Sequence, residues 1–158
     1  MRHSLAVRAG IFAILFFSAS SNAQVAQVPD PSLDGPPIKF KAVLSADEQS
    51  APTESPGSGI VDFVLNRPTQ ELSWTLSFED LTSDVTGAHI HGPQTPGGNA
   101  GVLIDLAPDG LRSPVQSSYV LNDGLLEYLL TGRMYVNVHS TKYPVGELRG
   151  QIMRLRPE

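Results

Sequence analysis

Three of the chain's four histidines fall in two short motifs, and they are the residues best suited to do chemistry. His89 and His91 lie in Ala88-His-Ile-His-Gly92, and His139 closes Tyr135-Val-Asn-Val-His139. Side chains two residues apart on a strand share a face. His89 and His91 therefore project together, while Ala88 and Ile90 point the other way. In the second motif Val136 and Val138 take one face, and Tyr135, Asn137 and His139 the other. With the apolar members turned to a core, all three imidazoles stand on the polar side. Imidazole nitrogen suits zinc, copper, iron and nickel. Three histidines converging from two strands leave a coordination position free, as in catalytic rather than purely structural sites. The plainer reading is a set of surface or packing histidines.

A third segment, Gly146-Glu-Leu-Arg-Gly-Gln-Ile152, has the same character. Its period puts Leu148 and Ile152 inside, with Glu147, Arg149 and Gln151 outside. Glu147 is a candidate fourth ligand, or a group that orients a histidine from behind. Arg149 either pairs with Glu147 on the sheet face, which is worth little if exposed, or sets positive charge beside a metal and draws small anions inward.

Other chemistries have less support. The chain has no cysteine, which excludes thiolate-rich zinc sites, iron–sulfur clusters and disulfides. No G-x-S-x-G occurs, and Ser58 in Gly57-Ser-Gly59 reads as a turn before a strand. The run from Gly92 to Gly101 is rich in glycine and proline and lacks the lysine of a phosphate loop. It reads as a plain connection, with a lid over the histidines as the other reading.

Positioning these residues falls to short alternating segments. In Glu71–Glu79, the residues Leu72, Trp74, Leu76 and Phe78 alternate with polar ones. Similar segments at 38–45, 59–66, 86–91, 102–107, 115–121, 133–139 and 146–154 bring the expected total to about eight strands. That pattern predicts an all-β, antiparallel sandwich or flattened Greek-key barrel. One segment differs: Asn122-Asp-Gly124 precedes Leu125, Leu126, Leu129 and Leu130, with Gly132 after them. A polar cap, leucines four apart and a terminal glycine predict a helix of about two turns.

Residues 1–23 read as an export signal: Arg2 and Arg8, an apolar stretch from Ala9 to Phe17, then Ser21 and Ala23 before the expected cleavage. The stretch is shorter than the ~20 apolar residues a membrane span needs. A periplasmic or secreted protein without a span is the expectation. Residues 24–37 read as a flexible tether and 38–156 as one domain. Without the signal, nine basic residues face sixteen acidic ones, a net charge near −7, and no Lys/Arg cluster stands out. Nucleic acid and anionic membrane surfaces are therefore not expected partners. The oligomeric state is left open.

Taken together the motifs resemble the CHRD domain family, named for chordin and common in exported bacterial proteins. The resemblance spans Phe40 to Arg154. It rests on Leu44-Ser45 with the acidic, proline-containing loop to Gly59, on Leu81-Thr82-Ser83 leading to Ala88-His-Ile-His-Gly-Pro93, on Tyr135 to His139, and on Tyr143-Pro-Val-Gly-Glu-Leu-Arg-Gly-Gln-Ile152. Ala46-Asp-Glu-Gln-Ser-Ala-Pro52 departs from the family's usual Gly-Ala-Gln-Glu-Val-Pro-Pro. A second analogy is to copper superoxide dismutases, β-sandwiches whose H-x-H strand, later V-x-H-like strand and C-terminal arginine build a copper site. His89, His91, His139 and Arg149 are similar in order and chemistry. The zinc-ligand loop and the disulfide of those enzymes have no counterpart here. The analogy implies a single transition-metal ion, copper first and iron or zinc second, with superoxide as candidate substrate. The alternatives are a metal carrier without turnover and a non-catalytic module that binds protein or glycan.

Overall fold

A computed structural model describes residues 34–51 and 53–156. Residues 1–23, read as an export signal, and most of residues 24–37, read as a tether, lie outside the described residues. Among the described residues nine strands and one helix follow in order: β1 (Ile38–Leu44), β2 (Ser58–Asn66), β3 (Glu71–Glu79), β4 (Val85–His91), β5 (Val102–Asp105), β6 (Val115–Val120), α1 (Asp123–Leu130), β7 (Tyr135–Ser140), β8 (Leu148–Gln151) and β9 (Met153–Arg154). They form two antiparallel sheets, β6-β3-β2-β1-β9 and β5-β4-β7-β8. This is the all-β sandwich that the alternating segments predict.

The two-residue period explains the layering. Phe40, Ala42 and Leu44 of β1, Val61, Phe63 and Leu65 of β2, and Leu72, Trp74 and Leu76 of β3 are buried. They meet Ala88 and Ile90 of β4, Ile104 of β5, Val136 and Val138 of β7, and Leu148 of β8. Each such side chain contributes roughly 1.5–3 kcal/mol when fully buried. The Trp74 indole N–H reaches across the core to the Leu106 carbonyl at 2.9 Å, satisfying its one polar atom. Helix α1 begins where expected. The Asn122 side chain accepts from the Leu125 N–H at 2.9 Å, Leu126 and Leu129 are buried, and Gly132 takes φ +68° past the end.

Residues 146–154, read as one strand, divide in two. At Ile152 the backbone N–H bonds the Met134 carbonyl at 2.9 Å, after which Met153 and Arg154 pair with β1 in the opposite sheet. The chain switches sheets there, and the Ile152 side chain is wholly buried in the core.

Candidate metal site

The outer face of the four-stranded sheet carries the polar residues. Register sets Gly87 opposite His139, His89 opposite Asn137, and His91 opposite Tyr135. On the other side of β7, Tyr135 faces Gln151 and Asn137 faces Arg149. All these positions share one face. Two irregularities aim β4: its register slips between Val85 and Gly87 against β7, and between Ile90 and His91 against β5. Such bulges re-aim side chains and recur beside functional sites.

The structure brings His89, His91 and His139 together. Each offers one ring nitrogen, and these atoms lie within 4.8 Å of one another. Ring centroids are 4.9 Å apart for His89 and His139, and 5.8 Å for each pair with His91. The His91 Nδ1 lies 3.0 Å from the Ala100 carbonyl, and the His139 Nδ1 lies 3.1 Å from that of Pro144. A carbonyl only accepts, so both Nδ1 atoms carry the proton and both Nε2 lone pairs are free. His91 Nε2, His139 Nε2 and His89 Nδ1 are buried with no hydrogen-bond partner among the described residues. Burial lowers the His91 pKa, with the charges of His89 and Arg149 adding to it and the bond to Ala100 opposing. Burial also lowers that of His139, with His89 and His91 adding and the bond to Pro144 opposing. At neutral pH these two rings are uncharged, the form that binds a metal.

The donor set fits a metal ion. Bonds of 2.0–2.1 Å in a tetrahedral arrangement put ligand nitrogens roughly 3.3 Å apart, and those present lie within 4.8 Å of one another. Two further features serve the cluster that the motifs alone did not single out. A Cβ at Gly87 would stand 2.8 Å from His89 Cε1, so the missing side chain makes room for that ring. The Tyr135 ring stacks on His91 with centroids 5.1 Å apart and planes 12° off parallel. Gly87 lies two residues before His89, so the same strand period was its signal.

Glu147 is not in the cluster. Its Oε1 accepts from the Ser55 hydroxyl at 2.6 Å and the Thr82 N–H at 2.7 Å. Burial raises its pKa, but hydrogen bonds from Ser140, Ser55 and Thr82 outweigh that and the net shift is downward from 4.5. A lowered carboxyl pKa stabilises the fold above the unfolded value and loses that contribution as pH falls through the folded one. E147Q is therefore expected to cost about 2 kcal/mol at pH 7 and much less near pH 3, as read by urea unfolding at both pH values.

Arg149, expected on the outside, is on that sheet face yet 0% exposed. Its guanidinium carbon sits 4.1 Å above the Tyr135 ring centroid, and it does not pair with Glu147. Two loops cover it. From the loop between β1 and β2, the Glu48 carbonyl accepts from Nη1 at 3.4 Å, and Gln49 donates to Asn137 at 2.9 Å. From the loop between β4 and β5, the Gly98 carbonyl accepts from Nη2 at 3.4 Å. The run from Gly92 to Gly101, read as a plain connection, thus packs on the polar face and supplies the carbonyl that holds His91.

A β-sandwich with a histidine cluster on the outer face of one sheet is the class that fold and site define. The profile of the CHRD domain matches residues 40–152, and the chain belongs to that family. No curated protein and no solved structure gives a significant match. Among the described residues no helix is long and apolar enough to cross a membrane.

Proposed function

We propose that the protein binds one transition-metal ion through His89, His91 and His139, copper first, with iron or zinc as the alternatives. One observation carries this: each of the three clustered imidazoles has a buried nitrogen without a partner among the described residues. Histidines kept only for packing would be expected to satisfy both nitrogens, since an unpaired buried polar atom costs about 1–3 kcal/mol. The half-buried state of His89 and His139 favours an exchangeable ion with an open position over a sealed structural one. The signal read in residues 1–23 supports action in the periplasm or outside the cell.

Superoxide dismutation is the activity the copper-enzyme analogy suggests, and it needs an anion route as well as an ion. The buried guanidinium of Arg149 favours a supporting role over that of an exposed guide. Binding is thus the firmer part of the reading, and a dismutase assay on metal-loaded protein separates enzyme from carrier. The contacts of Glu147 favour a pin between loops over a fourth ligand.

A thermal melt tests binding against the non-catalytic module. Metal-free protein should gain about 2.7 kcal/mol when free ion reaches a hundred times its dissociation constant, about 10 °C for a domain of this size. EDTA should reverse the gain. Identical melts with and without copper, iron and zinc would favour the module.

A further inference from the structure

We propose that Arg149 is a positioning residue for the histidine site: it ties both covering loops to the sheet and so holds the carbonyl that orients His91. Its consequence for metal binding rests on the reading above. Its consequence for the His91 ring does not.

A buried cation is costly unless well paired, and among the described residues Arg149 has only a long ion pair. The nearest carboxylate oxygen, Glu48 Oε2, is 3.9 Å away on a half-exposed side chain. Its hydrogen bonds go instead to the Glu48 and Gly98 carbonyls, both at 3.4 Å, and to Gln151 Oε1 at 3.2 Å. These acceptors sit on three separate pieces of chain: one loop, the other loop, and β8 itself. A planar fork can bind such divergent acceptors together, and an ammonium cannot reproduce it. The backbone strengthens the grip, since the N–H of Arg149 and that of Ser45 each bond the other's carbonyl at 3.0 Å.

The path to the site is short. Gly98 is two residues from Ala100, whose carbonyl accepts from His91 Nδ1 at 3.0 Å and from the Tyr135 hydroxyl at 3.3 Å. The Ala100 N–H in turn donates to that hydroxyl at 3.0 Å. The Tyr135 ring touches both groups, with the Arg149 guanidinium carbon 4.1 Å from its centroid and the His91 ring stacked against it. Releasing Arg149 frees the Gly98 end of the loop and one face of Tyr135. Both restraints on His91 then slacken at once. Groups that fix a ligand histidine this way typically change metal affinity 10–100-fold when removed.

The test compares wild type with R149K and R149M by two measurements. In metal-free protein, ¹⁵N spectra of the imidazoles should show wild-type His91 as a single Nδ1–H tautomer, and both variants as a mixture. With Cu²⁺ as the probe, competition against a chelator should show affinity at least ~10-fold weaker in both variants, with an altered Cu²⁺ electron paramagnetic resonance spectrum. R149K keeps the charge, so its failure to rescue separates orientation from electrostatics. If R149M does not fold, R149K and Y135F, which lacks the hydroxyl anchor, carry the comparison. Wild-type tautomer, affinity and spectrum in the variants would overturn the proposal while leaving metal binding intact. A wild type that binds no copper, but whose His91 tautomer still depends on Arg149, would overturn the metal reading alone.

Discussion

His91→Ala is expected to abolish stoichiometric metal binding, lowering affinity more than ~100-fold, beyond the range for groups that merely support a ligand. His91 is the most buried of the three rings, at 7% exposure, and it is held on two sides, by the Ala100 carbonyl and by Tyr135. Its Nε2 is therefore the least free to swing away and the least replaceable by water. Two imidazoles from β4 and β7 would remain, too few for an ion that small ligands compete for. Equilibrium dialysis followed by elemental analysis reads the effect, with circular dichroism to confirm that the metal-free variant keeps its sheets. An equimolar ion retained by the folded variant would show that His91 is not a ligand.

The largest expected effect on stability lies beneath the site. Gly150→Ala should destabilise the fold by about 3 kcal/mol, at the upper end for overpacking a rigid spot, or prevent folding. Gly150 pairs with Val136, and a Cβ there would fall on the Val43 carbonyl oxygen and 2.8 Å from its carbon. Both are backbone atoms of β1, so no side chain can turn aside. Nor can β1 withdraw freely, since Ser45, just past its end, is bonded twice to Arg149. The absent side chain lets the two sheets close at this edge, and Arg149 takes its place from that closure. Urea unfolding compared with wild type measures the loss. An unchanged midpoint would mean that the sheets can part there without cost.

Much of this architecture was legible in a period of two. Ala88 and Ile90, Val136 and Val138, and Leu148 and Ile152 are all fully buried, so the opposite faces had to carry the histidines and Arg149. What covers that face was not legible. Alternation reports which side chains share a face, whereas the covering contacts join residues far apart in sequence, Gln49 with Asn137 and Ser55 with Glu147. Acidic and proline-rich loops look like solvent-exposed connections in the sequence, yet these two bury a guanidinium. Glu147 departs from the period for a local reason: the pattern predicts a regular strand from Gly146, but β8 starts at Leu148 and Gly146 sits at φ +132°. The period fails at such a turn, and the carboxylate goes to Ser55 and Thr82 instead.

Anomalous diffraction from a crystal of copper-loaded protein tests the central claim most directly. A single peak is expected between His89, His91 and His139, about 2.0–2.1 Å from one nitrogen of each ring. A loaded crystal with no peak there, and the three imidazoles unmoved, would contradict it.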